Sequence, residues 1–486
     1  MKNTREHKAD EGVSFRRFAW GVIIRFITQV ILKTRGLIFL PLISKFLGSE
    51  YYGLWSQIGI TLALFTPILM LKLDSAAVRY LAPIKTKKGF TQRLFASLIT
   101  IWLMILCIVF FILVFRDKVS LIMFGDPTHE NLLLIFCLLL FVRPTYTFLI
   151  NYFRITNRIL YYSLIEITTT ITSLLLVTYV IIKLSLGLIG ALWCIALVEI
   201  LATLIIIGVI IKEKGITISF NFKKNLYPLL KYSAPLIPTI AFYWIINMSD
   251  RYLILHFLGI SNVGVYSATY TLAGVVTFFV TPISFNLFPT ITKLWAQGEF
   301  EKVKGYIEKS IQYFLLVGIP SCLGIFYLYP FILKELATEE FITSRWLIFF
   351  ISFGYLFIGV YQMYWYIFNL KFKTYLAPWI FGGVAVLNFI LNLILIPQLG
   401  VLGAGISTFI CYSLLTLLII LIAQKWVKVM LPFEKIVKYS VGALFMLGVL
   451  SLFKPARLTQ LLLLTIFGGI IYMVTLILTR GIGKEE

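Results

Sequence analysis

The chain has 486 residues, 60% of them hydrophobic and only 13% charged, with 43 Lys and Arg against 21 Asp and Glu for a net charge of +22. A soluble domain carries about a quarter charged residues. A mean hydropathy of +0.95 therefore excludes a soluble enzyme or nucleic-acid-binding domain and makes lipid the chain's main solvent.

Apolar stretches of about 20 residues, each long enough to cross a hydrocarbon core of about 30 Å as a helix, recur along the whole length. Fourteen are predicted, at 18–43, 51–72, 93–115, 131–150, 160–182, 186–211, 229–256, 263–289, 306–330, 346–370, 375–396, 401–424, 436–453 and 459–479. The first is too long and too charged for a cleaved signal and reads as a membrane helix. The longest linker, near 212–228, is too short for a catalytic domain. Of the 43 basic residues, 25 lie in the N-terminus (Lys2, Arg5, Lys8, Arg16, Arg17), the even-numbered linkers and the tail, and 8 in the odd-numbered linkers. That asymmetry predicts cytoplasmic termini and an even number of crossings, and makes the charge a topology signal, with no nucleic-acid partner.

The other ten fall within the bounds of predicted spans, most of them at a span end, and Arg25, Lys33, Arg35 and Arg143 lie deeper inside. A basic residue near a helix centre costs about 2.5–3.5 kcal/mol on insertion. Arg25, Gln29 and Lys33 share one face of helix 1 at i, i+4, i+8, with Thr28 beside them and Arg35 on the flank. Two readings stay open: Arg25 snorkels while carboxylates elsewhere neutralise the others, or the face lines a water-filled cationic cavity. Asp74 and Arg79 are expected to end helix 2 beside the basic linker Lys85, Lys87, Lys88 and Arg93, which would meet the anionic inner leaflet. Arg143, next to Pro144 on helix 4, lies nearer an interface, where snorkelling and cavity lining are both open.

Helix 5 carries Glu166, Thr169, Thr170 and Ser173 on one stripe, and helix 6 carries Glu199 near its middle. The carboxylates are candidates for pairing with helix 1 or for binding a coupling proton or cation. Helix 7 presents Tyr243, Asn247, Asp250 and Arg251 after Pro235 and Pro238, whose rings should kink it. The aromatic run Tyr361, Tyr364, Trp365 and Tyr366 on helix 10 reads as an interfacial belt. Cys107, Cys137, Cys194, Cys322 and Cys411 are dispersed without a CxxC pair and read as packing residues. His7, His129 and His256 show no metal-ligand spacing, and no GxxxxGK[ST] or GxSxG is present.

The chain also repeats itself. Phe46-Leu47-Gly48 followed by Gly53-Leu54-Trp55-Ser56 recurs as Phe257-Leu258-Gly259 followed by Gly264-Val265-Tyr266-Ser267, and Leu186 to Ala191 recurs as Leu399 to Ala404. Six crossings per period give two halves of parallel orientation, 18–211 and 229–424, with a cytoplasmic N-terminus at 1–17, a linker at 212–228, and two extra helices and a tail at 425–486. A site between such halves near the midplane is the plan of an alternating-access transporter.

These features resemble the polysaccharide transporters of the multidrug/oligosaccharidyl-lipid/polysaccharide (MOP) flippase superfamily, in particular the O-antigen or capsule repeat-unit flippases. The resemblance rests on Arg25 to Gly36, Phe46 to Ser56, Leu73 to Ala82 and Asn247 to Gly274, with Pro282, Asn286 and Pro289 fitting the same pattern. It implies an all-α polytopic membrane protein of two six-helix lobes plus two C-terminal helices, in a bacterial cytoplasmic membrane. It implies as cargo an oligosaccharide on a polyprenyl pyrophosphate, turned over for surface polysaccharide synthesis, with polymerase and chain-length proteins as candidate partners. No cofactor is expected, and proton or sodium coupling is a candidate through Glu166, Glu199 or Asp250. Arg25, Gln29, Lys33 and Arg35, helped by Arg143, are the expected head-group residues, since guanidinium forks suit phosphate. Asp74, Arg79, Asn247, Asp250 and Arg251 are gating or coupling candidates. Three rival readings are an ion-coupled exporter of drugs or organic cations, which the positive helix 1 opposes, a peptidoglycan-precursor flippase, and a membrane-embedded glycan-assembly enzyme or scaffold.

Overall fold

The structure, a computed structural model, describes residues 2–219 and 221–481, with side chains from Ile24 onward except at 281, 285 and 286. The expectations placed on the side chains of Lys2, Arg5, His7, Lys8, Arg16, Arg17 and Asn286 lie outside the described residues. Nineteen α-helices and four short 3-10 turns make up the described chain, with no strand among the described residues. This is the all-α architecture that hydropathy predicts, since in lipid a backbone must satisfy its hydrogen bonds within each segment.

Twelve helical stretches among the described residues are long and apolar enough to cross a membrane, against fourteen predicted. Two physical facts account for the difference. The first stretch, Ile24–Leu69, spans 46 residues and takes in most of both of the first two predicted crossings, divided only at Gly48. The Phe433–Leu450 helix forms over the thirteenth predicted crossing but carries Glu434, Lys435 and Lys438 in its first six residues.

The helix break at Gly48 is a backbone feature, with φ 90° and ψ −178°. Gly259, its partner in the sequence repeat, has φ 85° and ψ 171°. Essentially only glycine adopts that region. The two prolines of helix 7 act as expected: a 3-10 turn, Ala234–Leu236, separates the Tyr227–Ser233 and Ile237–Met248 helices. Asp74 and Arg79 do not end a long helix. Leu71 and Lys72 take left-handed conformations, and the two residues lie on a separate nine-residue helix, Leu73–Leu81.

The chain divides into two compact units. One combines the residues up to Phe39 with Ile58–Ile240, the other Leu40–Gln57 with the residues from Ala241 onward. In the first, the Glu130–Ile155 and Ile159–Ile182 helices pack on Gly187–Lys214, and Lys87–Val114 packs on Glu130–Ile155. In the second, Arg345–Leu370 packs on Val401–Gln424 and on Phe300–Leu336, and the last two helices, Phe433–Leu450 and Leu458–Leu478, lie on Phe300–Leu336. The Tyr472 hydroxyl fixes the last helix there by donating to the Leu316 carbonyl at 2.8 Å.

Also within the second unit, the two copies of the repeat motif meet each other. Ser56 Oγ donates to Ser267 Oγ at 2.7 Å. A Cβ on Gly53 would stand 2.2 Å from the Ile260 carbonyl oxygen, and one on Gly264 would stand 2.1 Å from that of Ser49. Ile260 and Ser49 are themselves repeat equivalents, so the contact is symmetric, and only glycine allows helix backbones so close. The aromatic run on helix 10 departs from the belt expectation: Tyr361 and Tyr364 are buried in the core, and the Tyr364 hydroxyl bonds the Val429 carbonyl at 3.2 Å.

Candidate functional site

The intramembrane charges of the first unit gather into one cluster. Arg25 makes an ion pair with Glu166 and lies over the Tyr162 ring, 4.6 Å from its centroid. Arg143 grips Glu199 with two nitrogens, Nη2 at 2.6 Å and Nε at 2.9 Å. Such a fork is the strongest geometry available to a guanidinium and a carboxylate. Arg35 lies near both Arg143 and Glu199 and covers the Phe39 ring at 5.1 Å. Among the described residues it has no carboxylate at ion-pair distance. Lys33 and Gln29 are half-buried on the same helix.

Two tyrosines link the pairs. Tyr162 contacts Glu166 and Arg25, and Tyr146 lies near Glu166, Glu199 and Thr169. Sequence reasoning passed over both, although Tyr162 stands four residues before Glu166 and Tyr146 three after Arg143, the spacings that share a helix face. Of the two glutamates, Glu166 pairs with Arg25 of helix 1, and Glu199 pairs with Arg143 of helix 4 instead of helix 1.

Three arginines, Arg25, Arg35 and Arg143, against two carboxylates leave an excess of one positive charge in the cluster, and Lys33 stands further along helix 1. The cations keep contact with their surroundings, with 28% side-chain exposure at both Arg25 and Arg143, whereas Glu199 is sealed at 6%. A buried charge excess is costly in lipid and calls for an anionic partner or water. The arrangement can therefore offer Arg35 and the outer edges of two paired guanidiniums to an anion.

The remaining candidates fall elsewhere. Asp74 faces Lys72 at 3.7 Å. Arg79 is exposed and stacks on Tyr232 at 4.7 Å. In the second unit, Asp250 and Arg251 are fully buried and paired at 2.8 Å. Tyr266 donates to Asp250 at 2.5 Å, Arg251 lies over the Tyr270 ring at 4.1 Å, and Tyr412 donates to Asn247 at 2.5 Å. This is a closed network in which one negative charge meets one positive, and its tyrosines come from helices too far apart in sequence for spacing to reveal.

Residues 18–295 match the family model described as polysaccharide biosynthesis protein. A probable low-salt glycan biosynthesis flippase, Agl15 of Haloferax volcanii, is 25% identical over 268 residues, 54% of this chain and 56% of that protein. An uncharacterized membrane protein of Methanocaldococcus jannaschii, MJ1068, is 24% identical over 196 residues, 40% of this chain and 37% of that protein. The chain thus aligns with about half or less of the length of these relatives. Among solved structures, the lipid II flippase MurJ in an inward closed conformation superposes with a TM-score of 0.77 at 18% identity, covering 95% of this chain and 99% of that one. An inward-facing multidrug transporter of the MATE family within the MOP superfamily gives 0.68 at 13% identity, covering 83% and 97%. These likenesses establish a MOP-type fold.

Proposed function

The chain belongs to the polysaccharide biosynthesis protein family, and on that footing we propose that it is a flippase moving polyprenyl-pyrophosphate-linked oligosaccharides across the cytoplasmic membrane, by alternating access, for surface polysaccharide assembly. The observation that supports this reading is the positive excess of the Arg25, Arg35, Arg143, Glu166, Glu199 cluster, in which Arg35 has no carboxylate at ion-pair distance among the described residues. A pyrophosphate diester carries two negative charges, which Arg35 and the outer edges of the paired guanidiniums would meet. Guanidinium groups offer paired donors to its oxygens. A protein selecting organic cations would need the opposite excess, so the drug-exporter reading has no support in this cluster. In the proposed orientation the basic linkers and both termini face the cytoplasm.

Ion coupling through Glu166, Glu199 or Asp250 would first require opening an arginine pair, since each is held by one. The test is transbilayer movement of a fluorescent polyprenyl-pyrophosphoryl oligosaccharide in liposomes containing the purified protein. Movement that needs the protein and is lost in an Arg25→Ala/Arg35→Ala variant is the expected result. Absence of movement, together with efflux of a cationic dye from the same liposomes, would replace this cargo with a cationic one.

A further inference from the structure

A second cationic site stands apart from the intramembrane cluster, at one end of the second unit. A cavity of about 420 Å³ between the helix 7 and helix 11 segments is almost wholly apolar and names no ligand; a cavity of about 390 Å³ is different in kind. Trp295 and Trp426 form its walls, Lys304, Lys371 and Lys428 reach it, and Glu301 is its one carboxylate. These residues lie at the ends of Val280–Ala296, Arg345–Leu370 and Val401–Gln424 and at the start of Phe300–Leu336. The linkers there are of the even-numbered, basic set, and in the proposed orientation they face the cytoplasm.

Local pairing leaves the lysines available. Lys304 meets Glu301 only at 4.0 Å, and Lys371 rides over the Trp295 ring at 5.0 Å. Among the described residues, Lys371 and Lys428 have no carboxylate at ion-pair distance. Nearby acids are committed elsewhere: Glu299 to Lys302 at 2.6 Å, Glu434 to Lys438 at 2.7 Å, and Glu308 to the Met430 amide at 2.7 Å. On the linkers that carry Lys371 and Lys428, Phe372, Met430 and Phe433 are 70–88% exposed. Bare aromatic side chains of this size beside lysines are the composition of a membrane interface, where rings enter the head-group layer and ammonium groups meet phosphate.

We propose that this cavity binds the phosphate head group of an anionic phospholipid from the cytoplasmic leaflet. Lys304, Lys371 and Lys428 hold the phosphodiester, and Trp295 and Trp426 pack against the glycerol and the first acyl carbons. Three lysines against one glutamate leave two positive charges, so a zwitterionic head group, whose own ammonium would be repelled, is the poorer ligand. The site does not depend on the nature of the transported cargo.

The experiment titrates phosphatidylglycerol onto the purified full-length protein held in phosphatidylcholine and counts bound lipid by native mass spectrometry. Each Lys→Gln substitution should cost about fivefold in affinity. The triple Lys304→Gln/Lys371→Gln/Lys428→Gln should lose on the order of a hundredfold by the same reckoning, and the matching Lys→Arg triple should retain binding. A control that removes equal charge elsewhere, at the exposed Lys223→Gln/Lys224→Gln/Lys231→Gln, should keep this lipid. If the glutamine triple does not purify, the three single variants carry the test. Equal loss in the control, or no loss in the cavity variants, overturns the proposal. Displacement of the lipid by millimolar inorganic phosphate overturns the lipid assignment in favour of free phosphate.

Discussion

Arg35 and Arg143 are both intramembrane arginines of one cluster, yet the structure predicts opposite consequences for removing them. Arg143→Ala strands Glu199, whose side chain is 6% exposed and loses both of its guanidinium bonds, at 2.6 and 2.9 Å. Leaving such a charge buried and unpaired costs about 3–5 kcal/mol. Arg35→Ala strands no carboxylate among the described residues; it gives up a contact with the Phe39 ring at 5.1 Å, worth about 0.5–1 kcal/mol. Arg35→Ala should therefore leave thermal stability of the purified protein nearly unchanged. It should still lose transport, because one charge-assisted bond to the head group is worth about 1.5–3 kcal/mol, or roughly ten- to hundredfold in apparent affinity. Arg143→Ala should lose stability first, and the Arg143→Ala/Glu199→Ala double variant should recover much of it, since the pair is removed whole. The assays are thermal unfolding in detergent and cargo movement in liposomes. Normal transport by Arg35→Ala, or a loss of stability equal to that of Arg143→Ala, would refute the division between a paired arginine and a ligand-seeking one.

Gly53→Ala and Gly264→Ala should each destabilise by about 1–3 kcal/mol, because the new methyl groups would meet backbone oxygens at 2.2 and 2.1 Å. Gly59→Ala, with nothing within 4 Å of its added Cβ, should instead be neutral or stabilising by about 0.5–1 kcal/mol, so similar Tm shifts for all three would undo the close-contact argument. Asp250→Asn should cost about 3–5 kcal/mol by leaving Arg251, 4% exposed, without its counter-charge; unfolding of the variant measures it, and an unchanged Tm would mean that the pair is not closed. Collapsing proton and sodium gradients across the liposome membrane should leave flipping unaltered if the three arginine pairs stay shut through the cycle. A gradient dependence that Glu199→Gln abolishes would assign coupling to Glu199.

Helix 1 was legible because lipid makes every charge conspicuous: Arg25, Lys33 and Arg35 needed an explanation that no core packing could provide. Pro235 and Pro238 announced their break for a similar reason, since the ring removes a donor from the helix wherever it stands. The repeat announced Gly48 and Gly259, and the structure shows why both are glycine. Which arginine meets which carboxylate was not legible, because pairing across helices depends on their relative rotation. Helix 1 also left room for snorkelling, and only the placement of Glu166 beside Arg25 removes it. The tyrosines of helix 10 were misjudged as a belt because an apolar periodicity marks the core only where the alternative is water. In lipid both faces of a helix are apolar, and Tyr361 on the inside reads the same as Tyr361 on the outside. Leu73–Leu81 escaped because Leu71 and Lys72 carry no turn-forming signature, although both adopt left-handed conformations.

The duplication itself explains why charge excess belongs to the first unit. Ser56 and Ser267 fix the repeat at 211 residues, and Gly48 and Gly259 obey the same offset. Carried back along the helix, that offset sets Arg25, Gln29, Lys33 and Arg35 against Leu236, Ile240, Trp244 and Ile246, all uncharged and all but Ile246 at least partly exposed. Carried forward, it sets Phe39 and Leu40 against Asp250 and Arg251, whose charges cancel. Each copy thus carries its polar residues where the other is apolar. Two equal copies would carry equal intramembrane charge excesses; helix 7 carries none, and its polar positions form an internal Asp250–Arg251 pair within a tyrosine network. If the cargo is the proposed anionic head group, which must bind and then leave, one such cluster serves it better than two, since a site that holds too tightly slows release as surely as a weak one slows capture.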